Sequence, residues 1–134
     1  LAKGGHVVLF AIAPPGYGGD PPGFKIDDCK TQPNLDEQGR GEARALGGAF
    51  RNHGVQVDRI LSSPWCRCLE TARLMAVGPV EMSWALVPDM QPSVSVRLGE
   101  LKKIVADWQG PGALVLANTA QASSESPVAK PGVW

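Results

Sequence analysis

The stretch Leu61-Ser62-Ser63-Pro64-Trp65-Cys66-Arg67-Cys68-Leu69-Glu70-Thr71-Ala72 decides the fold. Asp58 to Leu61 predicts a short strand, Ser62-Ser63-Pro64 a turn, and Trp65 to Met75 a helix. Ser63 is placed to cap that helix, with Pro64 in its first turn. Upstream, His6 to Ala13 (HVVLFAIA) is a continuous apolar run between Gly4-Gly5 and Pro14-Pro15. Continuous rather than alternating hydrophobicity predicts a strand buried on both faces. The connection from Pro14 to Leu35 is rich in Pro and Gly, and loops of that length are usually functional or disordered. Asp36 then caps a helix whose apolar face carries Ala43, Leu46, Gly47 and Phe50, with Gly54 as its stop.

Downstream, Val80 to Trp84 predicts another short strand. Ser93 to Trp108 predicts a helix on the stripe Val94, Leu98, Leu101, Val105 and Trp108. Gly110-Pro111-Gly112 breaks it, and Ala113 to Ala117 is the last buried strand. Strands alternating with helices imply crossovers. The expected architecture is α/β: three layers, a mostly parallel central sheet flanked by helices. Residues 1–121 form the domain, and 122–134, interrupted by Pro127 and Pro131, an irregular tail.

The 134 residues fit one domain. Thirteen basic and thirteen acidic side chains balance, so the surplus expected of a nucleic-acid binder or a polybasic membrane patch is missing. No apolar run reaches the ~20 residues that span a bilayer. Leu1 in place of Met marks a processed chain or a fragment. The three cysteines, Cys29, Cys66 and Cys68, allow one disulfide in three pairings and leave one thiol over. Cys66-x-Cys68 lacks the spacing of a redox or zinc Cys-x-x-Cys; a disulfide involving Cys29, buried thiols and, last, a metal site remain open.

Three segments together resemble the histidine phosphatase superfamily, the phosphoglycerate mutase-like fold. They are His6-Val-Val-Leu-Phe10 with the loop after it, Asn34-Leu-Asp-Glu-Gln-Gly-Arg-Gly-Glu-Ala43, and Leu61 to Ala72. The third is the most specific, reading S-S-P-x-x-R-x-x-x-T-A at the end of a strand. Asp28-Cys29 and Trp65-Cys-Arg-Cys68 resemble a small bacterial branch whose members are often exported. The resemblance implies a first strand ending in Arg-His, with the His as the nucleophile that becomes phosphorylated. It also implies a second Arg after the second strand and a second His after a later strand to hold the phosphoryl oxygens, plus an acid for the leaving group. Imidazole can attack phosphorus and release it to water, and guanidinium forks match phosphate.

In this chain Ala11 and Ile12 stand where Arg-His is expected, and Thr119 where the second His is expected. Arg67 is retained. Asp89 is the candidate relic acid, with Glu81 behind it. Arg67, Ser63 and Asn34 form the candidate phosphate or anion site, or else Arg67 is a leftover paired with Asp89, Glu70 or solvent. His6 is about 20 Å along the strand from Ile12 at ~3.3 Å per residue, too far to substitute. The expectation is a catalytically inactive relative, a pseudoenzyme with no cofactor or metal, acting as a binding or structural subunit for a protein partner. Pro14 to Phe24 and Gln121 to Trp134 are the expected contact surfaces. The alternative is an active phosphatase with a phosphohistidine intermediate, hydrolysing phosphomonoesters or phosphohistidine, if residues 11, 12 and 119 are engineered or misassigned. Cysteine usage and the branch resemblance lean towards a periplasmic or exported location, with cytoplasmic as the alternative.

Overall fold

The computed structural model describes residues 5–14, 17–86, 102–119 and 132–133. The elements are β1 (Val7–Ile12), α1 (Glu37–Asn52), β2 (Val57–Ser62), α2 (Cys66–Met75), β3 (Val80–Met82), β4 (Ala113–Thr119) and β5 (Gly132–Val133). One-turn 3-10 helices lie at Cys29–Thr31 and Trp84–Leu86, and a short helical stretch spans 102–106. The first part of the helix expected from Ser93, and Asp89, lie outside the described residues.

The sheet order is β3-β2-β4-β1-β5. β2 pairs parallel with β3 and β4, and β1 parallel with β4. Gly132–Val133, inside the tail expected to be irregular, pairs antiparallel with β1 at Leu9 and Val8. The apolar runs are continuous because both faces of the central strands are covered. Val8, Ile60, Val115 and Ala117 pack with Phe50, Trp65, Cys68, Ala72 and Met75 on the face that carries α1 and α2. Val7, Leu61, Leu114 and Leu116 pack with Leu86 on the opposite face, where Ile104, Val105 and Trp108 join them. This is the expected α/β/α arrangement around a mainly parallel sheet.

Asp36 caps α1 as expected, its side chain accepting from Gly39 N at 2.8 Å. At Gly47, α1 runs so close to the end of α2 that an added Cβ would fall 1.8 Å from the Met75 carbonyl oxygen. Arg51 fastens the same crossing, Nη1 donating to Met75 O at 2.7 Å and Ala76 O at 3.0 Å.

Two local expectations are corrected. Ser63 does not cap α2: Trp65 is the N-cap residue and offers no side-chain bond. The first turn is served instead from the long loop, where Gln32 Oε1 accepts from Cys66 N at 3.0 Å. The last buried strand does not stop at Ala117. It continues through Asn118 and Thr119, because β1 keeps pairing with it through Ala11↔Asn118 and Ile12↔Thr119.

Candidate functional site

Parallel sheets place sites at the carboxyl ends of their strands. Here β1, β4 and β2 end side by side, and α2 starts immediately beyond β2. Register brings Ile12 and Thr119 next to each other, with Ala11 opposite Asn118. Ile12 is part of the core and 8% exposed. A cleft of about 190 Å³ opens beside Ala11 and Ile12, walled by Phe10, Leu35, Ala43 and Leu46. Glu42 and Thr71 add polar groups to its lining, and Arg67 does not line it.

Arg67, in the first turn of α2, is completely buried. Nη1 donates to Asp20 Oδ1 at 3.1 Å and to Pro33 O at 3.4 Å. Nη2 donates to Tyr17 Oη at 2.9 Å and to Thr119 Oγ1, which also receives Nε at 3.2 Å. The guanidinium lies 4.6 Å from the centre of the Tyr17 ring and 5.7 Å from that of Trp65. Such faces attract a cation most when water is excluded. Asp20 is itself only 11% exposed. Its second oxygen, Oδ2, accepts from Trp65 Nε1 at 3.0 Å and from Tyr17 Oη at 3.2 Å. Burial pushes the Tyr17 phenol above its ordinary value. Thr119 and the Arg67 charge pull the other way, and Asp20 reinforces the rise.

The structure therefore unites Ala11, Ile12 and Thr119 at one edge and joins Thr119 to Arg67. Arg67's partner among the described residues is Asp20 rather than Glu70 or solvent, and Asp89 lies outside those residues. Ser63 is fully buried, its backbone N–H donating to Ala117 O at 2.9 Å and its side chain acting on the Cys68 thiol. Asn34 stands apart: exposed, it donates to Cys29 O at 2.8 Å, and its neighbour Pro33 supplies the carbonyl that meets Arg67. Glu81 is an exposed partner of Arg59 at 3.1 Å, at the β2–β3 edge.

Sequence reasoning missed Tyr17 and Asp20. The signal was present: between Pro14 and Phe24 they are the only polar side chains, and Tyr17 is the chain's single tyrosine. Cys29 and Cys66 form the disulfide, which leaves Cys68 as the free, buried thiol. Burial pushes its pKa up to about 11, against smaller downward pulls from Ser63 and Arg67. Among the described residues no three His, Cys, Asp or Glu side chains come together as metal ligands. No described helix is long and apolar enough to cross a membrane.

The family model of the histidine phosphatase superfamily (branch 1) matches residues 27–90, which span the disulfide, α1, β2 and the Arg67 segment. Over those residues, just under half of the chain, the sequence resembles the histidine phosphatase superfamily. No curated protein matches its sequence. Solved structures of similar fold include a Mycobacterium tuberculosis open reading frame product (15% identity, TM-score 0.61, covering 86% of this chain and 74% of that one). The protein histidine phosphatase SixA complexed with tungstate aligns at 16% identity and TM-score 0.55, over 85% of this chain and 69% of its own. A candidate alpha-ribazole-5'-P phosphatase from Escherichia coli aligns at 17% identity and TM-score 0.59, over 86% and 73%. At these identities the likeness establishes the fold alone.

Proposed function

We propose that this chain is a catalytically inactive member of the superfamily, kept as a binding or structural subunit. The observation that carries this is the state of Arg67. The one retained phosphoryl-holding residue is sealed from solvent and neutralised by the chain's own Asp20. The residues at the neighbouring strand ends agree. Ala11 and Ile12 offer hydrocarbon where the superfamily resemblance calls for a guanidinium and an imidazole, and hydrocarbon has no lone pair with which to attack phosphorus. The Thr119 hydroxyl can accept from Arg67 but does not replace a second imidazole. The loop expected to meet a partner, Pro14 to Phe24, turns both its polar side chains inward; the tail from Gln121 lies largely outside the described residues.

Release of p-nitrophenol from p-nitrophenyl phosphate, and of phosphate from a phosphohistidine peptide, tests the proposal. The wild-type chain is expected to match a heat-killed control. The Ala11→Arg/Ile12→His/Thr119→His triple variant measures how far the frame still supports chemistry. Wild-type turnover above background would establish the second reading, an active phosphatase, which the phosphatase names of the structural neighbours favour. Size-exclusion of native material tests the subunit role: a strictly monomeric protein would count against it. The Cys29–Cys66 disulfide supports an oxidising, exported location. Finding both thiols free in protein alkylated inside intact cells would contradict it.

A further inference from the structure

We propose that Asp20 is a built-in ligand: its carboxylate occupies an oxyanion seat formed by Arg67, Trp65 and Tyr17 and keeps free anions out. The inference rests on the reading of Arg67 as the surviving phosphoryl contact. Both carboxylate oxygens are held. Oδ1 takes Arg67 Nη1, and Oδ2 takes the Trp65 indole N–H and the Tyr17 hydroxyl. A guanidinium with neutral N–H and O–H donors around it, out of water, is the chemistry that binds a small oxyanion such as phosphate. Tyr17 shares the occupant's loop, but the other two seat residues come from a different part of the chain. Trp65 and Arg67 belong to the start of α2, fixed by the core. Asp20 belongs to a loop without regular structure, between Gly18-Gly19 and Pro21-Pro22.

Downstream of Asp20 that loop is fastened twice to the segment it covers. Phe24 stacks on Trp65, ring centres 6.3 Å apart, and Cys29 is bonded to Cys66, the residue before Arg67. Tethering makes Asp20 an intramolecular competitor, with an effective concentration of about millimolar or more. A dissolved anion must outcompete it. Asp20 thus acts as an autoinhibitory contact, and the ligand class it excludes is a small tetrahedral oxyanion.

The test is titration with inorganic phosphate, against sodium chloride at matched ionic strength, of wild type, Asp20→Ala, Asp20→Asn and Asp20→Ala/Arg67→Met. Binding is read by calorimetry and by the shift in Tm. The wild type is expected to show no phosphate-specific shift. Asp20→Ala is expected to bind phosphate at least about tenfold more tightly than wild type and to gain several degrees in Tm, as ligand binding to the native state requires. The double variant is expected to lose that response. If Asp20→Ala folds only when phosphate is added, that rescue is the same result. Should it stay unfolded with phosphate, Asp20→Asn, which keeps the shape and removes the charge, decides. Equal phosphate binding by wild type and the Asp20 variants, no binding by either variant, or binding that survives Arg67→Met would each overturn the proposal. These outcomes separate from the function reading, whose failure would appear as wild-type phosphatase turnover.

Discussion

Arg67 carries a full charge in a place with no access to water, so its energy depends on its partners. Removing one member of a buried pair is far costlier than the pair's net worth, because the other charge is stranded. Arg67→Met should therefore cost about 3–5 kcal/mol in urea unfolding, and Asp20→Asn a smaller amount. The double variant should be much less unstable than the sum of the two, because no stranded charge remains. Additive losses, or a loss below about 1 kcal/mol for Arg67→Met, would mean that the two side chains do not form the pair. Cys68 gives a second residue-level outcome. Its thiol is held up to about 11 from an ordinary 9.0, so the native state keeps a proton that the unfolded chain releases earlier. That contribution is complete below about pH 9 and drains away as the pH rises through about 11. Tyr17, raised by burial, acts in the same direction at higher pH. The urea midpoint of the wild type should fall between pH 9 and 11, and more steeply than that of Cys68→Ala. Parallel pH profiles would contradict the buried-thiol account.

Helix α1 holds two glycines with opposite roles. Gly47 is where its backbone meets the Met75 carbonyl, and Gly41 faces open space. Gly47→Ala must push the helices apart and should cost at least about 1–3 kcal/mol. Gly41→Ala removes unfolded-state freedom and should stabilise by about 0.5–1 kcal/mol. Thermal unfolding of the two variants should shift in opposite directions, and shifts of the same sign would show that the crossing is looser than drawn. Elements of this kind were legible in the sequence for local reasons. HVVLFAIA and ALVLA are apolar throughout because both sheet faces are covered, and Asp36 caps α1 with a bond to its own third neighbour. The misses share a non-local cause. The first turn of α2 is capped by Gln32, 34 positions upstream, where local sequence points to the nearby Ser63. Asn118 and Thr119 are polar enough to suggest a loop, yet β1 pairs with them to the end. Tyr17 and Asp20 stand out only as the two polar side chains of a Gly-Pro loop, and nothing local says that they fold back onto an arginine 47 positions beyond Asp20.

At the scale of the whole molecule, the sheet order leaves β1 joined to α1 by a long connection that must cross the carboxyl ends of the strands. An open loop there would expose Arg67 and Trp65, and its ordering entropy would weigh against folding. Three things offset that: the Asp20 pair, the Phe24–Trp65 stack and the Cys29–Cys66 disulfide. The disulfide spans 37 residues, which in the chain-entropy picture is worth up to about 4 kcal/mol through restriction of the unfolded chain. That restriction covers the end of the loop, α1 and β2 together, so its loss should be felt in global stability as well as in the loop. Urea unfolding with and without a strong reductant should show a loss of about 2–4 kcal/mol for the wild type. Cys29→Ala/Cys66→Ala should start from the lowered value and ignore the reductant. Cys68, buried and protonated, should take no part: Cys68→Ala should respond to reductant as the wild type does. A wild-type midpoint unmoved by reductant, with both thiols shown free by mass, would mean that the ionic and aromatic contacts alone fix the loop and that the disulfide is dispensable to the fold.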